Sequence, residues 1–205
     1  MTTAIRTSAT RPVLSEIFGA REGAALRLKQ AALAVLGVAV LAVSAKVAFP
    51  MWPSPVPITL QTFAVLSIGA AYGARLGLVT ILAYLVIGAL GFDVFAGSSA
   101  ETNGLAYMLG GTGGYILGFV LATGFLGMAA RRGWDRSVVK MALAMVIGNA
   151  LIYVPGLLWL HQFTSGWEQT LQWGLTPYLI GDAMKLALAA LLFPGLWKLV
   201  GRARG

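Results

Sequence analysis

The stretch YLIGDAMKLALAALLFPGLWKLV, residues 178–200, is apolar over most of its length yet carries Asp182 and Lys185 near its start. Its length suits one helical passage of a hydrocarbon core, which takes about 20 residues. On a helix, residues three apart project from nearly the same face. Each charge would cost about 3 kcal/mol or more in hydrocarbon unless it is paired, snorkels or lines a polar cavity. One reading is a self-neutralising pair that merely lets the helix insert. The favoured reading is a site for a small polar solute whose own groups complete the pair's hydrogen bonding. A carboxylate accepts from N–H donors and an ammonium donates, so the solute should carry both donors and acceptors.

Outside this stretch the chain is equally apolar. Of 205 residues 58% are hydrophobic and 11% charged, with mean hydropathy +0.80; a soluble domain carries about 25% charged residues. These values predict an all-α integral membrane protein. Runs bounded by Gly, Pro and charge clusters give six segments, 26–48, 57–73, 75–92, 113–130, 137–160 and 177–200. They predict a compact six-helix bundle in a single transmembrane domain, 25–205, preceded by a cytoplasmic segment, 1–24. Pro57 fits the first turn of the second helix. The first 24 residues mix Arg6, Arg11, Arg21, Glu16 and Glu22 without an apolar core, unlike a cleavable signal.

The charges orient this bundle. Of the 15 Lys and Arg, all but Lys46 and Lys185 fall on one side, in the N-terminal segment, at Arg75, at Arg131–Lys140 and at the C-terminus. The positive-inside rule places that side in the cytoplasm, with both termini, as an even number of spans requires. The protein is expected to be multi-pass in the plasma or inner membrane. The net charge of +8 therefore reports topology rather than nucleic-acid binding. Asp93, Glu101, His161, Glu168 and the longest connections, 49–56, 93–112 and 161–176, lie on the opposite side, where ligand capture from outside is expected.

Candidate binding residues cluster towards that side. Gln61, between Thr59 and Thr62, follows a stretch with four prolines in 50–57, read as a stiff loop over a pocket or as a rigid connector. Asn149 and Tyr153 share a face four residues apart, and Asn149 serves either a ligand or a neighbouring helix. Gly110, Gly114 and Gly118, and likewise Gly69, Gly73 and Gly77, recur every four residues, a spacing that lets helices approach closely.

Several chemistries are excluded. Cysteine is absent and His161 is the lone histidine, which removes thiol chemistry and multi-histidine metal centres. No Lys-Ser/Thr follows the glycine runs, so there is no nucleotide loop. Ser98 or Ser99 with His161 sits in outer loops and makes a poor hydrolase. The chain is expected to be no enzyme and to hold no cofactor or metal.

In order, "VPITLQTFAVL" (56–66), "LVIGALGFDVFAG" (85–97), "LGGTGGYILGF" (109–119), "GNALIYVPGLLWL" (148–160) and "GDAMKLALAA" (181–190) resemble BioY, the biotin-specific substrate-capture family of energy-coupling factor transporters. The resemblance implies high-affinity biotin binding near the outer surface. It also implies partnership with a transmembrane coupling protein and two ABC-type ATPases that use ATP. By position, Asp182 and Lys185 match the polar pair of the family's last helix. Asn103, Gly104 and the glycines near Tyr115 match the region between spans three and four that contributes to the pocket. Asp182 is expected to meet the ureido N–H groups and Lys185 the ureido carbonyl or the carboxylate, with Tyr115, Phe95 and Trp52 over the ring. Ser98 or Ser99 stands where the family has glycine, and Gly111 where it has proline. The family's alanine pair on the first helix is not evident, although Ala39, Ala42 and Ala45 recur every three residues. Gly73 and Ala39 are candidates for contact with the coupling protein. A stand-alone facilitator or ion-coupled carrier is the alternative.

Overall fold

A computed structural model describes residues 11–99 and 102–204. Arg6 and Glu101, counted above, lie outside the described residues. Helices dominate: α1 (Gly23–Lys46), α2 (Gln61–Ala89), the short α3 (Gly104–Met108), α4 (Gly113–Arg131), α5 (Val138–Leu160), the short α6 (Trp167–Gly174) and α7 (Leu179–Arg204). Among the described residues, five stretches are long and apolar enough to cross a membrane. Their outward faces carry exposed Val35, Val43, Val86, Val139, Leu158 and Leu191. Such faces cost nothing against lipid tails, which are as apolar as leucine.

α2 is a hairpin rather than a rod. At Gly73 the backbone takes φ +75° and ψ 171°, a left-handed φ that a Cβ would strain. The chain then doubles back, so that Gln61 Nε2 donates to the Tyr84 hydroxyl at 2.6 Å. A straight helix would hold those residues about 35 Å apart. The expected segments 57–73 and 75–92 correspond to its limbs, 61–72 and 74–89. This corrects the reading of Gly69, Gly73 and Gly77 as one stripe. Gly69 and Gly77 face each other across the limbs and pack on Thr123 of α4, while Gly73 makes the turn. Gly73 is buried, so it is no free face for a partner.

α4 occupies the centre, between α2 and α5, with α1 outside α2 and α7 outside α5. Here the four-residue glycine spacing does mark a helix contact. A Cβ on Gly118 would fall 2.6 Å from Ile152 Cα, and one on Gly114 2.2 Å from the Pro155 carbonyl. Leu66, Phe119, Leu126, Met145 and Ile152 fill the core around it. On α1 the buried stripe is Gly37, Leu41 and Ala45, spaced by four, and it packs inward on α2. Ala39 faces outward.

At the non-basic end, Ala48–Phe49 pairs antiparallel with Ile58–Thr59. This small strand pair was not expected in an all-helical chain. It delays the start of α2 to Gln61, so Pro57 precedes a strand instead of opening a helix.

The basic end is sealed by the N-terminal segment. Val13 is fully buried beneath the Gly73 turn. Arg11 N–H donates to the Arg131 carbonyl at 3.0 Å, and Arg131 grips both oxygens of Glu16 at 2.7 and 2.5 Å. Beside it Asp135 is fully buried. Its Oδ2 accepts from Trp197 Nε1 at 2.5 Å, while its Oδ1 has no hydrogen-bond partner among the described residues. Burial pushes this carboxyl above the usual carboxylate range, outweighing the opposing pull of Trp197 and Arg136. The Arg136 guanidinium lies 3.9 Å over the Trp197 ring.

Candidate functional site

Asp182 falls in the first turn of α7, where the helix dipole favours a carboxylate. Lys185 follows one turn later and reaches Asp182 Oδ1 at 2.9 Å, the two side chains only 7% and 14% exposed. Lys185 also donates to the Thr59 carbonyl at 2.7 Å and to Thr62 Oγ1 at 3.0 Å. Thr62 in turn donates to Asp182 Oδ1 at 3.3 Å, and the Tyr153 hydroxyl donates to Asp182 Oδ2. All three ammonium protons thus have partners within the chain. The expectation is that a solute completes the pair's bonding; within the chain the ammonium already has three partners. The protein satisfies the pair itself, because Thr59 and Thr62 on the strand-to-helix entry of α2 are brought against α7. A carboxylate offers about four lone-pair sites, of which three are taken, so Asp182 keeps room for one more donor.

This network lines one side of a cleft of about 600 Å3, its open mouth included. Gln61, Phe95, Tyr115, Tyr153, Asp182 and Lys185 all contribute to the wall. Tyr115 donates to the Gly174 carbonyl at 2.9 Å and meets the Tyr153 ring edge-on, centroids 6.1 Å apart. Phe95 stacks on Tyr107 at 5.2 Å and meets Tyr84 edge-on at 5.4 Å. The Tyr84 hydroxyl gives its one proton to the Val94 carbonyl at 2.8 Å. It must therefore accept from Gln61, which fixes the Gln61 amide with Nε2 towards Tyr84. Polar groups on one side and aromatic faces on the others suit an apolar ring bearing a few donors and acceptors.

The remaining expected residues lie elsewhere. Asn103 caps α3 with extended backbone, and Gly104 opens that helix at φ +60°. Both stand at the start of α3, the helix that carries Tyr107, but neither lines the cleft. Asn149 also lies off the wall, its Oδ1 buried without a partner. Trp52 is 93% exposed and covers nothing.

Sequence reasoning left Tyr107, Thr112 and Tyr178 off the site, and used Thr59 and Thr62 only as neighbours of Gln61. Tyr178 was legible, being one helical turn before Asp182. Its hydroxyl gives its one proton to the Val56 carbonyl, with the Trp173 carbonyl 3.0 Å away. Ser54 Oγ donates to the same Trp173 carbonyl at 2.9 Å. These bonds latch the proline-rich loop to the chain around α6, with Val56 and Pro57 in the cleft wall. On the far side Lys46 clasps Asp93 at 2.5 Å, and Ser98 Oγ donates to the same carboxylate at 2.5 Å. Together they hold the loop that carries Phe95. Lys46 and Ser98 keep the Asp93 carboxyl below its ordinary range.

A family model described as "BioY family" matches residues 17–202, which include every residue named in the cleft. The chain belongs to the BioY family. A BioY relative from Pyrococcus horikoshii, described as a probable biotin transporter, is 36% identical over 167 residues, covering 82% of this chain and 95% of the relative. The biotin transporter BioY of Thermotoga maritima is 30% identical over 172 residues, with 84% and 98% covered. The fold also matches a crystal structure described as the S-component for biotin from an ECF-type ABC transporter. The TM-score is 0.72 at 21% identity, over 87% of this chain and 95% of that chain. At that identity the likeness speaks for the fold. This BioY protein is thus a multi-pass membrane protein whose named relatives are transporters.

Proposed function

We propose that this protein captures biotin from outside the cell and delivers it across the membrane as the substrate-binding subunit of an ATP-driven energy-coupling factor transporter. The observation that carries the reading is the cleft, in which a hydrogen-bonded Asp182–Lys185 pair faces aromatic walls. Biotin's ureido group and carboxylate supply donors and acceptors for one side, and its apolar bicycle suits the other. Asp182 keeps room for a ureido N–H, and Lys185 exchanges the Thr59 carbonyl for a ligand oxygen. Names given to relatives support the ligand and the transporter type.

The topology belongs to the same proposal: six spans, counting the two limbs of α2 separately, with both termini in the cytoplasm and the cleft opening outwards. Positive charge at the end that holds Arg75, Arg131, Arg136 and Arg202 supports it. A transmembrane coupling protein and ATPase subunits supply the energy, this chain acting as no enzyme. The test is biotin binding to detergent-purified protein, with thiamine and riboflavin as comparisons, followed by uptake into vesicles with and without the ATPases. Selective biotin binding and ATPase-dependent uptake are expected. Absence of binding sinks the assignment, and uptake without ATPases replaces it by a stand-alone carrier.

A further inference from the structure

A second groove opens at the basic end, between the N-terminal segment, the start of α1 and the turn of α2. It encloses about 1,270 Å3, its mouth included. Arg21, Lys29, Arg75 and Arg131 line it, with Glu16 the single carboxylate among its lining residues. Glu16 is taken up by Arg131. Lys29 gives a hydrogen bond to the neutral Phe18 carbonyl, and Arg21 and Arg75 are exposed with no hydrogen bond or ion pair among the described residues. Glu16 also feels Lys29 at longer range, so one carboxylate serves four lining cations and the groove stays net positive, with Arg21 and Arg75 unpaired among the described residues.

The charges are arranged by depth. Arg21 precedes α1, Arg75 follows the Gly73 turn and Arg131 ends α4, so the guanidinium groups belong to the level where helices leave the membrane. Leu33 and Leu76 line the same groove. Leu33 lies a helical turn further along α1, towards its exposed Val35 and Leu36. A ligand that fits must be anionic at one end and apolar at the other. Free phosphate lacks the second property, and an acidic peptide has no use for a wall continuous with the lipid-facing side of α1. Basic pockets between membrane helices on the cytoplasmic side suit anionic headgroups, and guanidinium groups grip phosphate oxygens in pairs. We propose that this groove holds an anionic phospholipid, its phosphate between Arg21 and Arg75 and an acyl chain along Leu33 and Leu76. This proposal does not depend on biotin being the transported solute.

The test uses the full chain in nanodiscs of phosphatidylcholine with a minor fraction of phosphatidylglycerol, read by native mass spectrometry for lipid retained on the released protein. Wild type is expected to retain phosphatidylglycerol selectively. The double variant Arg21→Gln/Arg75→Gln should lose that selectivity about thirtyfold, at roughly fivefold per cation. Arg132→Gln/Arg202→Gln removes the same charge from the same end outside the groove, and should leave selectivity unchanged. Equal losses in the two doubles would mean a diffuse surface potential and overturn the site. Displacement of the lipid by inorganic phosphate would overturn the lipid as occupant. Unchanged lipid selectivity with lost co-purification of another membrane subunit would make the groove a protein-docking surface and likewise end the proposal. Arg21 and Arg75 make no hydrogen bond or ion pair among the described residues, so the variant should melt with the wild type.

Discussion

Two buried carboxylates stand at opposite ends of this bundle and behave differently. Asp182 spends both oxygens on Lys185, Thr62 and Tyr153 and borders an open cleft. Asp135 is more deeply buried, yet one oxygen goes unpartnered and it lines neither of the two grooves described. Burial and electrostatic tension alone would rank Asp135 the better functional candidate. The cleft decides otherwise. On the proposed function, Asp182 is the well-bonded and reachable charge a ligand needs, whereas Asp135 keeps an orphaned oxygen where it borders neither groove.

The largest test of this contrast is Lys185→Met. It strands a buried carboxylate, a loss of about 3–5 kcal/mol, and should abolish biotin binding and lower the melting temperature. Adding Asp182→Asn should restore much of the stability without restoring binding, measured by melting and titration calorimetry on the same samples. Recovery of binding in the double variant would show that the pair is purely architectural. Next is Tyr153→Phe, which removes one charge-assisted bond of about 1.5–3 kcal/mol and should weaken biotin binding at least tenfold. At the other end, Asp135→Ala leaves the Trp197 N–H unpaired and should cost about 1–3 kcal/mol of stability. Asp135→Asn keeps an acceptor there and should cost less. Both should bind biotin as the parent does, and a binding defect in folded Asp135→Asn would erase the distinction between the ends.

The smallest effect concerns the Lys46–Asp93 clasp. Its carboxyl is held below the ordinary value of 3.8 in the folded chain. The stabilisation is therefore complete above that value and is lost as pH falls through the lower, folded one. Being an exposed pair, it is worth no more than about 1 kcal/mol. Wild type should lose its small melting advantage over Lys46→Met only in that acidic window. An advantage that persists there would assign the clasp's effect to packing.

The same contrast explains what the sequence could tell. Asp182 and Lys185 stood out because a charged pair interrupts an apolar helical run, a conflict visible in one dimension. Asp135 sits in Arg131-Arg132-Gly133-Trp134-Asp135-Arg136, which reads as a solvated turn. Its burial depends on Trp197, 62 positions away. Helix positions followed from hydropathy, and 113–130 and 137–160 agree with α4 and α5 to within a residue. The hairpin of α2 was legible only as two segments. Periodic glycines look alike whether they pack a helix or reverse it, and the sign of φ at Gly73 is not written in the spacing. Asn103 and Gly104 were placed at the site by resemblance, and they stand at the start of α3, which carries Tyr107 into the cleft wall. Trp52 was given to the cleft on chemistry alone, and a loop anchored through Ser54 and Tyr178 points it away.

The turn at Gly73 sets a length. From Gln61 at the cleft to Tyr72 beneath the N-terminal plug there are twelve residues, a rise of about 18 Å, against about 30 Å for the oily interior of a bilayer. On the proposed topology the chamber is therefore sunk well below the outer surface, and a solute bound there would have covered part of the crossing before any coupled step.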